Sequence, residues 1–317
     1  MKTKFISILS LVALSATQSF ATITSDAEFS EGVYTTKVSG VESASNLTES
    51  KYSSLWLENA TLNIENTTLT ENTTLTVSSN KGTLSGYVLL ASENTTINVG
   101  TNGKLVVSGA VNSIKATSSN KFVINVSEDS LGIEASKIYM EAFNNEFNLN
   151  KEDAFSNKNI LLGVSSAKTL TITTAHNQAF ALDSRHNATY NLNISNKAVI
   201  DIRNYVCYTN GKSDGNVRFK IADGLVDGAI LFHTDGSYKN TYEWDEEKAA
   251  LRVTDYKGRV QNASFIDANG NALTNLSFTA VDGGYLLTGM VAVPEPAEWA
   301  MILGALALGF AIYRKRK

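Results

Sequence analysis

The amino-acid sequence predicts an all-β chain: a right-handed parallel β-helix with a C-terminal β-hairpin cap and a single C-terminal transmembrane helix. Three observations carry this. A short apolar–polar–apolar cassette recurs every 22 to 27 residues, the spacing of a winding repeat. Proline, which has no N–H to give to a strand ladder, is confined to Pro294 and Pro296, so the body contains none. An uncharged apolar stretch then runs from Trp299 to Tyr313, immediately after those two prolines.

Residues 1–21 read as a secretory signal peptide. Lys2 and Lys4 give a basic start, Phe5 to Ala16 an apolar region, and Ser19-Phe20-Ala21 a small-x-small site with cleavage after Ala21.

Residues 22–237 form the predicted β-helix, with 22 to about 60, where the periodicity is weaker, as its N-terminal cap. The cassette appears as Leu75-Thr-Val77, Ile97-Asn-Val99, Ile124-Asn-Val126, Phe147-Asn-Leu149, Leu170-Thr-Ile172, Leu192-Asn-Ile194 and Phe219-Lys-Ile221. A second apolar set keeps step between them, at Val88 to Leu90, Val111 to Ile114, Ile138 to Met140, Ile160 to Leu162, Phe180 to Leu182, Tyr205 to Cys207 and Ile230 to Phe232. Alternation with period two turns the apolar side chains inward and the Thr or Asn outward. Each repeat therefore supplies at least two short strands, joined by polar turns such as Asn102-Gly103 and Asp214-Gly215. Stacked at ~4.8 Å, seven such coils make a rod about 35 Å long, in which amides and hydroxyls at the turns bond from rung to rung. Asn66-Thr-Thr68 and Asn94-Thr-Thr96 match the glycosylation triplet, but turn chemistry explains them.

Residues 238–292 change register. Thr241 to Val253 reads as two strands around a charged turn, and Ala263 to Leu273 as a hairpin about Asn269-Gly270. Phe278 and Tyr285 to Leu287 continue the pattern on either side of Asp282-Gly283-Gly284. An open solenoid end exposes unpaired backbone groups, so this segment is assigned as the cap.

Residues 293–317 form a tail: Pro294-Glu295-Pro296, a helix over 297–313, and Arg314, Lys315, Arg316 and Lys317. The apolar run covers roughly 22 Å as a helix, short of a ~30 Å bilayer core but bracketed by the interfacial aromatics Trp299 and Tyr313. The four cations place the C-terminus in the cytoplasm and everything before Pro294 outside.

Signal peptide, Pro-Glu-Pro motif, apolar segment and basic end, in that order, resemble the PEP-CTERM sorting domain of bacteria. The likeness covers only the last twenty-odd residues; the winding body is similar to autotransporter passengers. The resemblance implies that Pro294, Glu295 and Pro296 are recognised by an exosortase, a membrane enzyme that cleaves near the motif. The protein would be held in the membrane by its helix until sorting and then passed to the cell surface or extracellular matrix.

Composition narrows the function. The chain carries a net charge of −4, and the body is more acidic still because Lys2, Lys4 and residues 314–317 lie at the ends. Nucleic acid is therefore not a partner, since phosphate binding needs a clustered cationic surface. Cys207 is the single cysteine, which excludes an internal disulfide framework and reads as a buried small hydrophobe. Asp267-Ala-Asn269-Gly-Asn271 begins like a calcium loop, but its sixth and twelfth positions are Ala272 and Phe278, so it reads as a turn. Gly211-Lys212-Ser213 lacks the opening glycine of a phosphate loop, Val206 standing in its place. His176, His186 and His233 match no metal spacing, and no cofactor is implied.

Asp183-Ser-Arg185-His186 and Asp201-Ile-Arg203 are the remaining candidates, because β-helix polysaccharide lyases and hydrolases place such groups along a coil face. Asp201 and Arg203 share one strand face, where a surface ion pair explains them. No convergent acid, base and nucleophile emerges. The favoured expectation is thus a non-enzymatic surface or matrix protein, structural or adhesive, associated with exopolysaccharide. One alternative is a carbohydrate-active enzyme with a groove lined by Asp201, Arg203 and neighbouring carboxylates. Another is a secreted glycan-binding module with an aromatic platform of Trp56, Tyr205 or Tyr208.

Overall fold

The computed structural model describes residues 27–30, 33–44, 50–52, 55–64, 73–78, 87–92, 94–108, 112–117, 120–208, 215–222, 225, 227–234 and 239–289. Among them the chain is all-β, without a helix, and most strands lie in parallel columns in the manner of a β-solenoid. The signal peptide (1–21), the Gly211–Ser213 turn and the tail from 293 to 317, with its expected membrane helix, lie outside the described residues. No helix among the described residues is long and apolar enough to cross a membrane.

The first column stacks Leu55–Ile64, Thr95–Val99, Lys121–Val126, Asn144–Leu149, Thr169–Thr174, Thr189–Ile194 and Gly215–Ile221, each parallel to the next. The second stacks Tyr87–Ser92, Asn112–Ala116, Lys137–Met140, Leu161–Val164, Gln178–Arg185, Ile200–Tyr208 and Ile230–His233. Parallel stacking reaches back to Val33–Ala44, which pairs with Leu55–Ile64, inside the stretch read as the N-terminal cap. Burial alternates along the strands, as in Thr95, Ile97 and Val99 inward with Thr96 and Asn98 half-exposed. Period two and β-branched or aromatic residues suit this pleated, half-buried geometry.

The register departs from the sequence expectation in three places. Leu62-Asn63-Ile64, rather than Leu75-Thr-Val77, sits beneath Ile97-Asn98-Val99. Leu75 to Val77 belongs to a third column, where Ser50–Tyr52, Thr73–Ser78, Gly103–Ser108 and Gly132–Ala135 form a separate parallel sheet. Ile172 and Ile221, rather than Leu170 and Phe219, continue the file through Phe147 and Leu192. A shift of two residues preserves which face each side chain takes, so alternation cannot detect it; turn length sets it.

The third column ends near Phe155, which makes an isolated parallel bridge to Ile133. The segment after Leu149 then lacks a ladder partner for part of its backbone, and side chains of the following coil supply the bonds. Gln178 Nε2 donates to Lys151 O at 2.6 Å while its Oε1 accepts from Ala154 N at 3.1 Å. Asn177 Nδ2 donates to Glu152, and Asn177 Oδ1 accepts from Val199 N at 2.8 Å. Beyond this point the described coils carry two columns, and the rung spacing contracts to 20 residues between Thr171 and Asn191.

At the C-terminal end the pairing turns antiparallel. Thr241–Asp245, Ala250–Thr254 and Val260–Ile266 form a meander whose last strand also pairs in parallel with Gly215–Ile221. The Asn269-Gly270 turn is present, and Ile266 bridges Ala272 antiparallel across it while Leu273 N donates to Phe265 O at 2.9 Å, so Val260–Ile266 is both the third strand of the meander and the first arm of that short hairpin. Ser277–Val281 and Gly284–Thr288 form a second hairpin, set antiparallel on Ile230–His233. Asp255, in the turn after Ala250–Thr254, accepts from Cys207 N at 3.1 Å and from Arg259 Nε at 2.7 Å, tying the meander to the last coils.

Candidate functional site

Three arrangements on this scaffold gather polar or aromatic side chains. The first is on the outer face of the first column. Asn98 Nδ2 donates to Asn63 Oδ1 at 2.6 Å, Asn125 to Asn98 at 2.6 Å, and Asn148 to Asn125 at 2.7 Å. These amides lie on strands, in the outward positions that the alternation of the cassette assigns them, so rung-to-rung bonding expected at the coil turns runs here along a strand face. Hydroxyls then take over: Asn191 donates to Thr171 at 3.1 Å and Asn193 to Thr173 at 3.4 Å. Identical amides a rung apart match donor to acceptor, so the file bonds to itself along the stack.

The second lies on the outer face of the second column and holds both sequence candidates. Lys137 Nζ meets Asp183 at 2.9 Å, and Lys115 meets Glu141 at 3.3 Å. Between them lies the buried ring of Tyr139, with the Arg185 guanidinium 4.6 Å and Lys137 Nζ 5.3 Å from its centroid. Gly163 makes room for that ring, since a Cβ there would stand 2.8 Å from Tyr139 Cδ2. Burial raises the Tyr139 phenol above its ordinary value.

Two coils on, the ladder shifts between Phe180 and Ala181, whose partners are Ile202 and Asn204. Arg203 is the extra residue of this β-bulge, and a bulge re-aims a side chain. Its Nη1 donates to Asp201 Oδ2 at 3.2 Å and lies 2.8 Å from His233 Nε2. A guanidinium only donates, so Nε2 accepts and the imidazole proton of that arrangement sits on Nδ1. His233 Nε2 also stands 3.5 Å from Asp201 Oδ1. Sequence reasoning found the Asp201–Arg203 pair but missed His233, which lies on a different strand thirty residues on. Within each cluster the carboxylate faces a cation, and the contacts link the charges to one another.

The third is a cleft of about 290 Å³ between the two C-terminal hairpins, lined by Tyr242, Trp244, Leu251, Ser277, Phe278 and Tyr285. Tyr242 and Trp244 alternate on one hairpin; Phe278 and Tyr285 face them from the other. The rings pack on the core, with Trp244 5.5 Å and Phe232 5.8 Å from Phe278. Ser277 lines the cleft and is 2.9 Å from the Thr288 hydroxyl, which is 3.1 Å from that of Thr279.

The other candidates fall elsewhere. Ala21, Pro294, Glu295, Pro296 and Arg314 to Lys317 lie outside the described residues, as do the side chains of Trp56 and Tyr208. Tyr205 is wholly buried and forms no exposed platform, because its strand turns it toward the core. Asp267 accepts from the backbone N–H of Asn269 and Asn271, each at 2.8 Å, so the loop is a turn closed by its own aspartate. The Asn271 side chain, together with those backbone bonds, lowers its carboxyl below the usual range. Among the described residues no three His, Cys, Asp or Glu side chains gather closely enough to hold a metal ion.

Compared with known protein families, with curated proteins and with solved structures, the chain matches none.

Proposed function

We propose that the chain is an exported cell-surface or extracellular-matrix protein whose body is a right-handed parallel β-helix serving a structural or adhesive role. In this reading the signal peptide ends at Ala21, and the PEP-CTERM-like tail holds the protein in the membrane through the helix over 297–313. An exosortase then acts at Pro294-Glu295-Pro296. The observation that carries the structural role is the file of outward amides bonded rung to rung at 2.6 to 2.7 Å. Side chains that in a binding groove would point at a ligand are here spent on the stack itself.

Cell fractionation tests this reading. Deleting Ala297 to Lys317 releases the body to periplasm or medium with its β-sheet circular dichroism intact, while replacing residues 294–296 with alanine leaves the protein in the membrane fraction. Unfolding of the truncated chain would contradict the boundary at residue 293. Retention of the truncated chain in the cytoplasm would overturn the export reading altogether. A second reading, as a glycan-binding protein, is favoured by the aromatic cleft of the C-terminal hairpins.

A further inference from the structure

The cleft between the C-terminal hairpins has the composition of a sugar site. We propose that Tyr242, Trp244, Phe278 and Tyr285 form a subsite for one neutral or N-acetylated hexose ring of a polysaccharide. The proposal gives a location and a ligand class to the expected association with exopolysaccharide and, in its biological setting, rests on that reading.

Size, walls, a lining hydroxyl and charge argue for it in turn. At about 290 Å³ the space lies at the small end of ligand pockets, which run ~300–1,000 Å³, and suits a single ring better than a peptide strand or a helix. A pyranose presents C–H groups on its faces and hydroxyls around its edge. Aromatic walls with a polar handle fit the first, since Tyr and Trp join a large apolar surface to a hydrogen-bonding tip. A lining hydroxyl fits the second: Ser277 lines the cleft beside the rings, and its hydroxyl rotates to donate or accept.

Charge chooses among sugars. The hairpin bearing Tyr242 and Trp244 carries Glu243, Asp245, Glu246 and Glu247 against Lys248 and Arg252. Lys248 is already 3.2 Å from Asp245, and Arg252 3.5 Å from Glu243. A uronate, a sulfated sugar or a fatty-acid carboxylate would be repelled by the net negative charge of this hairpin, whereas an uncharged ring would not. The walls are also held before any ligand arrives, Trp244 by Phe278 and Phe265 at 5.5 and 6.4 Å and Tyr242 by Phe232 at 5.4 Å. Rings fixed in place lose little freedom on binding.

The test uses the purified full chain in detergent, with Trp56 and Trp299 changed to Phe so that Trp244 alone reports. Cellotriose, chitotriose, trigalacturonate and dodecanoate are titrated, followed by Trp244 emission and by calorimetry. One of the two neutral trimers is expected to bind at least tenfold more tightly than trigalacturonate, with a shift in Trp244 emission. Calorimetry on the chain with its native tryptophans is expected to show at least a tenfold loss of affinity in Tyr285→Leu and in Trp244→Leu. Ser277→Val, which leaves the aromatic walls and the strand in place, should weaken binding severalfold and keeps the test meaningful if either ring variant unfolds the cap. No response to either neutral trimer overturns the proposal, as does binding that survives Ser277→Val and Trp244→Leu unchanged, or tighter binding of dodecanoate than of any sugar. Because the assay needs no export, loss of sugar binding leaves the surface reading standing. Mislocalisation in cells with sugar binding intact would sink that reading and not the cleft.

Discussion

The coil stack and the C-terminal hairpins close their cores by different rules. In the coils one inward position repeats from rung to rung, as in Leu62, Ile97, Ile124, Phe147, Ile172 and Leu192, and all but one of these are aliphatic. The outward neighbours are amides or hydroxyls that bond to the next rung. In the hairpins nothing repeats, the pairing is antiparallel, and Trp244, Phe265 and Phe278 fill the core with rings. The two regions meet in the stack Tyr190–Phe219–Phe265, with centroids 5.3 and 5.4 Å apart. A parallel stack cannot end unaided, because its last rung exposes both unpaired backbone and an apolar interior. Val260–Ile266 answers the first need by pairing with Gly215–Ile221, and the rings answer the second.

Cutting that junction is the severest test of the contrast. Phe219 is fully buried, and Phe219→Ala is expected to cost ~3–5 kcal/mol, measured by urea or guanidinium denaturation. A cost below about 1 kcal/mol would mean that cap and stack fold independently of this ring. A smaller and more local effect is expected at Gly103, where a Cβ would stand 2.0 Å from the carbonyl oxygen of Ile64 in the rung below. Gly103→Ala should cost ~1–3 kcal/mol through forced backbone displacement. Hydrogen exchange should quicken in the N-terminal rungs while the hairpins keep their protection.

Much of this architecture was legible in the residues. Alternation gave the inward and outward faces of Ile97 to Val99 and of Ile124 to Val126, because period two follows from strand geometry alone. The meander from Thr241 to Ile266 announced itself by losing the cassette. Register was not legible: Leu170 and Ile172 are equally apolar and face the same way, and only the length of the turn before them decides which one meets Phe147. The third column was not legible either, since Leu75-Thr-Val77 has the same pattern as strands of the first. At the candidate sites, Asp201 and Arg203 were visible as near neighbours in sequence. Bringing His233 to them depends on a bulge at Arg203 and on coil stacking, and neither leaves a local pattern. The cleft was hidden for a similar reason, since its rings come from two hairpins that do not pair with each other.

A pH experiment sharpens the comparison where the stack meets the meander. Cys207 is buried at the last coils beside Asp255, and burial with that neighbouring carboxylate pushes its thiol up from 9.0 to about 12. The folded protein therefore favours the neutral thiol. Its contribution to stability is complete below pH 9 and is lost as the pH rises from there toward 12. At pH 10 the loss from this one group is on the order of 1 kcal/mol, and the buried phenols of Tyr190, Tyr205 and Tyr242, all raised by burial, add to it at higher pH. Denaturation midpoints should fall between pH 9 and pH 10 in the native chain and much less in Cys207→Ala. Thiol reagents at pH 8 should reach Cys207 only after unfolding. Rapid labelling of the native chain would show that the meander opens away from the coils.

The gentlest test asks what the amide file contributes. Asn125 donates to Asn98 at 2.6 Å and accepts from Asn148 at 2.7 Å, yet its side chain is only half-buried. Water can replace both partners in Asn125→Ala, so the expected cost is ~0.5–1.5 kcal/mol, the net worth of ordinary hydrogen bonds and well under that of Phe219→Ala. The inward asparagine gives the control. Asn145 is fully buried and donates to Ala142 O and Thr169 O at 3.0 and 2.8 Å, and its loss takes a bond from Ala142, which is itself wholly buried. Asn145→Ala should therefore cost more than Asn125→Ala by equilibrium denaturation, although both remove two bonds. If Asn125→Ala proved the costlier, the amides rather than the aliphatic file would be what holds successive rungs together.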